Sequence, residues 1–314
     1  MVHAKPEEEA QKMDGERKRV CSDADSGGDN RYDGCGRSGL WEGLDPEILA
    51  LIFVRIPAEQ LVGEVQLVCK SWREAIAGPY CWTNIDVEQW CRRCSNTDVS
   101  DCLVRRLVRR SRGTVRLLSA YKLGDSGFSY VANCGRYLKV LKIPMSEVTD
   151  RIVEKHAESL SKVVFLDISY CLKITCKGLA ALGMHCKSLV HLRRNMPPPE
   201  LQWPAQVASQ VDDEEAMVIA DTMPGLCELE LGYGRFGDCG LDAILTKCQS
   251  LTHLDILGCW SVKLEGDLEE KCQSLAFFKS PWDANDDLSV SEDGSDAEED
   301  ASVFSPSDSE QSDA

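Results

Sequence analysis

No stretch of the 314-residue chain comes near 18 consecutive apolar residues, so a membrane-spanning helix is not expected. The opening MVHAKPEEEAQKMDGERKR lacks the apolar core of a secretory signal. Histidine is scarce, at five residues. Neither a metal-binding histidine pair nor a phosphate-cradling glycine loop is present, so no metal and no cofactor are expected. A basic excess is also missing. The formal net charge is −17, and residues 283–314 hold 12 acidic side chains with no Lys or Arg. That is not the footprint of a nucleic-acid binder. A soluble, intracellular protein is expected, and in a reducing compartment its 16 cysteines read as small buried apolar side chains rather than disulfides.

What is present divides into segments. Residues 1–38 are polar and Gly/Ser-rich, and disorder is expected there. Their short basic cluster Arg17-Lys18-Arg19 reads as part of a solvated tail before it reads as a nuclear import signal. Residues 39–88 form a small helical module. Asp45 caps a helix that starts at Pro46, with Ile48/Ile52 and Leu49/Phe53 stacked four apart, and Pro57 ends it. A second helix is expected from about Leu61 to Ala77, carrying Leu61, Val65, Val68 and Trp72 on one stripe, with Gly78-Pro79 as the stop. So short a module holds more apolar surface than it can bury, which implies a partner surface. Residues 89–112 read as a helical linker with a solvated strip at Arg105, Arg106, Arg109 and Arg110.

The order Leu44, Pro46-Glu47-Ile48-Leu49, Ile52-Phe53, Ile56-Pro57, Leu61, Val68-Cys69-Lys70-Ser71-Trp72-Arg73, Pro79 and Trp82 resembles an F-box. It departs from the common form where Asp45 separates the first leucine from its proline. The resemblance implies docking on the Skp adaptor, and through it on a cullin. The implied contacts are Leu44, Pro46, Ile48, Leu49, Ile52, Phe53, Ile56, Pro57, Leu61, Val68, Trp72 and Trp82. One sequence does not divide these contacts from the module's own core.

From 113 to 282 the chain repeats an apolar-x-x-apolar-x-apolar pattern. It occurs at Val115/Leu118/Ala120, Leu138/Leu141/Ile143, Val163/Leu166/Ile168, Leu189/Leu192, Leu226/Leu229/Leu231 and Leu251/Leu254/Ile256, with a degraded copy from Leu275. Five of six steps are 23–26 residues, the period of leucine-rich repeats; the 37-residue step marks an insertion near 194–211, interrupted by Pro197-Pro198-Pro199 and Pro204. Helix starts recur at LGDSGFSYV, VTDRIVEKH, ITCKGLAAL and FGDCGLDAI, where Asp125, Asp150 and Asp238 are expected to cap their own helices. Cysteine recurs in phase, at Cys186, Cys248 and Cys272 before strands and at Cys171 and Cys259 after them, which assigns it a packing role.

Two motifs mislead. Gly124-Asp125-Ser126-Gly127 matches a protease nucleophile sequence, but the same slot later reads Gly237-Asp238-Cys239-Gly240, so it is a helix start. Cys91 and Cys94 form a lone C-x-x-C without the two further ligands that a closed zinc site needs.

The expected fold is α+β: a short all-α F-box, then an α/β leucine-rich-repeat solenoid of about six to seven repeats, with disordered tails. Together with GPYCW (78–82), SYCLKI (169–174), HCKSL (185–189) and the insertion unit (194–226), the pattern resembles a plant family of F-box/leucine-rich-repeat proteins. That resemblance implies a non-catalytic substrate receptor of an SCF-type ubiquitin ligase, distributed over cytoplasm and nucleus. A scaffold that binds proteins without delivering them for degradation is the alternative.

Within the strands, residues between the apolar positions face outward. Lys142, Asp167, His191, Arg193, Glu228, Glu230, His253 and Asp255 are therefore candidate contacts for an unidentified protein target. Arg194 and Trp203 join them from the insertion. Residues 283–314 read as a disordered acidic tail in which Ser289, Ser295, Ser305 and Ser307, each three residues before an acid, are candidate phosphorylation sites.

Overall fold

The computed structural model describes residue 41 and residues 43–198 and 211–283. Residues 1–38, Trp203, the four candidate serines and all of the acidic tail beyond Asp283 lie outside the described residues.

The helical module starts as its sequence demands. Helix α1 (Pro46–Phe53) has proline in its first turn, and Asp45 Oδ1 accepts the Glu47 N–H at 2.8 Å. The expected second helix is three pieces: α2 (Ala58–Gly63), a 3₁₀ turn over Val65–Leu67, and α3 (Lys70–Ala77). Gly63 ends the first piece, and Cys69 is fully extended, with φ −156° and ψ 175°. The break rotates the stripe. Leu61 stays buried, Val65 and Trp72 are half-buried, and Val68 points outward. Phe53 meets Trp72 edge-on at 5.1 Å, and the Trp82 indole N–H donates to the Ile76 carbonyl at 2.7 Å, closing the small core.

Behind it runs a single parallel sheet of eight three-residue strands among the described residues, in chain order. They are β1 (Asn84–Asp86), β2 (Leu117–Ser119), β3 (Val140–Lys142), β4 (Phe165–Asp167), β5 (His191–Arg193), β6 (Glu228–Glu230), β7 (His253–Asp255) and β8 (Phe277–Lys279). Between β1 and β2 lie α4 (Glu88–Arg92) and α5 (Thr97–Arg110); one helix occupies each later step: α6 (Asp125–Cys134), α7 (Asp150–His156), α8 (Cys176–His185), α9 (Glu214–Thr222), α10 (Asp238–Lys247) and α11 (Leu268–Gln273). The middle residue of each strand from β1 to β7 is buried.

The sheet begins earlier than the repeat pattern indicated. Trp82, Ile85 and Val87 are all buried and carry the same apolar spacing, so the segment expected as a linker is the connection from β1 to β2. Trp82 serves the helical module and the solenoid at once, which hid this copy in the sequence.

The aspartates at the helix starts do not cap their own helices. Each reaches across to the next unit. Asp125 accepts the Thr149 N–H at 2.7 Å and its hydroxyl at 2.9 Å; Asp150 takes the Thr175 N–H and hydroxyl and the Gly178 N–H. Asp238 takes three successive N–H groups, from Lys263 to Glu265. Asp101 and Asp213 do the same for Gly124/Gly127 and Gly237/Gly240. In α6, α8 and α10 a free first-turn N–H, that of Gly127, Gly178 or Gly240, is thus satisfied by the preceding repeat, whereas Asp125 and Asp238 hold the backbone just ahead of α7 and α11. A methyl at Gly127 or Gly178 would occupy the place of the carboxylate. The series lapses at α8, where Cys176 holds the aspartate slot.

The cysteines pack between neighbouring units, as their phase implied. Cys171 Sγ lies 3.2 Å from the Ile143 carbonyl and Cys259 Sγ 3.1 Å from that of Leu231. Burial pushes both thiols up to about 12, and those of Cys186, Cys248 and Cys272 up to about 11. They are inert small apolar groups.

Candidate interaction surfaces

The helical module divides the twelve F-box positions. Leu49, Phe53, Leu61 and Trp82 are core. Leu44, Ile56 and Trp72 are half-buried, packed on that core. Pro46, Ile48, Ile52, Pro57 and Val68 are exposed. Two residues that the sequence reading missed join them: Leu51 is 72% exposed and Leu67 67%. Both lie on the turns that carry Ile52 and Val68, and Leu67 faces out because the 3₁₀ turn breaks the helical stripe. The result is one α-helix and one turn that present large aliphatic side chains to solvent, more than a self-contained fold leaves bare.

The strand registers assemble two rows on the sheet's open face. One runs Val140, Phe165, His191, Glu228, His253, Phe277; the other Lys142, Asp167, Arg193, Glu230, Asp255, Lys279. Eight of the ten sequence-derived target contacts are members. The first row is nearly symmetric about Glu228. His191 stacks on Phe165 at 5.7 Å, and His253 on Phe277 at 5.9 Å. His191 Nδ1 lies 2.7 Å from Glu228 Oε2, a close contact out of line for a hydrogen bond. In the second row Arg193 Nε pairs with Glu230 Oε1 at 2.9 Å, and Lys142 and Arg193 lie over the Phe165 ring. Burial raises the Glu230 carboxyl, Arg193 and Asn195 oppose that, and Asp255 and Asp167 add to it. Phe165 and Phe277 were missed. In Val163-Val164-Phe165-Leu166 every residue is apolar, so pattern alone does not tell the outward one.

An F-box-like family model matches residues 41–88. The chain is 43% identical over 226 residues to F-box protein FBW2 of Arabidopsis thaliana, which covers 72% of this chain and 70% of that protein. The chain belongs to the plant F-box/leucine-rich-repeat family. F-box protein SKIP19 of the same plant is 30% identical over 275 residues, 86% of this chain and 85% of its own length. F-box/LRR-repeat protein 23, also from Arabidopsis thaliana, is 30% identical over 249 residues, 78% of this chain and 54% of its own.

One contact expected from the insertion needs correction. Arg194 does not face a target: it is 2% exposed, and its guanidinium donates to the Cys171 and Ile174 carbonyls at 3.0 and 2.7 Å and to Glu215 Oε1 at 2.9 Å. It ties the chain on one side of the insertion to α9 on the other. Its place at the start of the insertion suggested an exposed loop cation, but folding brings three acceptors around it. Gly124 and Gly127 lead into and stand in the first turn of α6, both donating N–H groups to Asp101. Cys91 is buried in the core and Cys94 Sγ lies 3.5 Å from the Trp90 carbonyl; no cluster of three His, Cys, Asp or Glu able to hold a metal occurs among the described residues. No described helix is long and apolar enough to cross a membrane.

Proposed function

We propose that this protein is the substrate-recognition subunit of an SCF-type cullin-RING ubiquitin ligase, with the helical module on the Skp adaptor and the sheet's open face on a protein target. The observation that carries the reading is the bare aliphatic strip Ile48, Leu51, Ile52, Leu67 and Val68. Its match to the F-box family model places the strip in a module whose relatives are named F-box proteins. Covering it with partner helices would bury on the order of 1,600 Å² in total. The chain performs no chemistry itself. It holds a target near the ubiquitin-charged enzyme, which turns transfer into an effectively intramolecular step. The two rows of aromatic, histidine and charged side chains would supply the target contacts. A cytoplasmic and nuclear distribution belongs to the same proposal.

Co-purification with the Skp adaptor and cullin tests it. Wild type recovers both; Ile52→Asp/Val68→Asp, altered only on the exposed strip, recovers neither while its melting curve is unchanged. Equal recovery by the two sinks the reading. Adaptor binding with no protein accumulating on ligase inhibition favours the non-degradative scaffold.

A further inference from the structure

The chain's densest basic stretch lies just after the helical module. Residues 102–146 carry ten Lys/Arg against one acid, Asp125, inside a protein of net charge −17. Asp125 is already engaged by Thr149. The fold gathers part of this charge around a shallow pocket of about 490 Å³ between the end of α5 and the end of α6. Arg109, Arg112, Arg136, Thr114, Tyr130 and Tyr137 line it, and no carboxylate does. Lys162 adds a fourth cation above the Tyr137 ring at 5.2 Å. Among the described residues Arg109, Arg112, Arg136 and Lys162 form no ion pair, whereas the other basic surfaces are laced with them, as at Lys173–Glu147, Lys247–Asp221 and Lys271–Asp242. Next to the pocket the Arg110 guanidinium lies over the Trp82 ring at 5.4 Å with a buried Nη1 that has no hydrogen-bond partner, and Arg106 and Arg109 crowd it further. Like charges at this density repel unless an anion sits among them.

We propose that the anion is this chain's own acidic segment, residues 284–314, docked on the arginine pocket. Its composition is the complement of the surface: eleven Asp/Glu and no Lys or Arg. Residues 1–40 fit poorly, because nine acids there are offset by seven Lys/Arg. The reach is sufficient. The segment leaves the fold just after β8, six strand steps from β2, a span of roughly 29 Å at about 4.8 Å per step. Thirty-one residues extend to about 100 Å, with a flexible-coil mean of roughly 31 Å. Tethering at that length holds the segment at an effective concentration on the order of 1 mM. A dissociation constant of about 0.1 mM would then leave it free roughly a tenth of the time. Planar guanidinium groups grip carboxylates in pairs, and the tyrosine rings flank them. Docking is independent of the adaptor reading, since none of these residues belongs to the aliphatic strip.

Cleavage by a Glu-specific protease within the segment, at Glu292, Glu298, Glu299 and Glu310, reads the docking in the full-length protein. In wild type at low salt the segment is cut about tenfold more slowly than in Arg109→Ala/Arg112→Ala/Arg136→Ala. About 0.5 M salt, which screens beyond a few ångström, closes the gap. An Arg→Lys triple variant, which keeps the charge, retains most of the protection, and unchanged circular dichroism and thermal midpoint show that all variants fold. Equal cutting of wild type and the Ala variant at low salt overturns the proposal. So does a wild-type segment that stays fully cleavable while an added acidic peptide binds the arginines in trans, because the pocket then serves another protein.

Discussion

The two halves of this molecule use apolar side chains in opposite senses. In the solenoid the leucines at the centre of the strands, Leu118, Leu141, Leu166, Leu192, Leu229 and Leu254, are each at most 2% exposed, and the surface is left to charge and aromatic rings. In the helical module Ile48, Leu51, Ile52, Leu67 and Val68 are turned to solvent. A repeat closes its core on its neighbours, so an inward stripe suffices. A module of fewer than fifty residues has no neighbour of its own for its second face and borrows one from a partner. Polar satisfaction differs in the same way. Asp45 serves its own helix, whereas Asp125, Asp150 and Asp238 serve the next unit along.

The sharpest way to break this contrast is on the module's outer face. Ile52→Asp/Val68→Asp should abolish adaptor recovery in a pull-down while leaving the thermal midpoint within a degree or two. Leu49→Ala, four residues from Phe53 on the inner face, should do the reverse of a clean interface change. It removes a fully buried side chain, costs about 2–5 kcal/mol, and lowers the midpoint before any effect on binding is interpretable. A smaller effect separates local from inter-repeat capping. Asp150→Ala strands three donors of the next unit and should cost roughly 1–3 kcal/mol in urea denaturation, against about 1 kcal/mol for Asp45→Ala. If the two costs are equal, the cross-repeat bonds are not what couples the units.

The smallest expected effect is one of pH. Burial alone would raise the Asp238 carboxyl, but three backbone donors outweigh it and hold it below the ordinary 3.8. Its contribution is therefore complete above that value and is lost as pH falls through the depressed folded-state pKa. Protection of the Lys263, Leu264 and Glu265 amides, taken relative to the intrinsic exchange rate at each pH, should fall over that interval, and Asp238→Asn should remove the dependence.

The repeat period and the phase of the cysteines were readable because a solenoid writes the same geometry many times, and each copy confirms the last. The exceptions have local causes. The first strand was hidden because Trp82 fits two patterns. The second module helix was read as continuous because nothing between Leu61 and Trp72 violates helical spacing, yet Gly63 and the extended Cys69 divide it. That division decides which apolar groups are surface: Val68 follows Leu61 by seven residues and still faces the other way. The aspartates were legible as capping groups but not as to whose helix they cap, since partners some 24 residues away leave no mark on spacing. Arg194 looked like an exposed loop cation; three acceptors brought together by folding make it an interior one.

That arginine also sets how the solenoid bears load. Pulled from its ends, a stack of units that touch only their neighbours parts at its weakest junction. The junction between α8 and α9 has lost its carboxylate rung to Cys176, and the insertion lies between these two helices in the sequence. One buried guanidinium, anchored on Cys171 and Ile174 behind and on Glu215 ahead, takes its place beside the Lys187 bond to the Thr222 carbonyl. A pull along the stack therefore loads a guanidinium at this seam, where it loads aspartate rungs at the seams on either side.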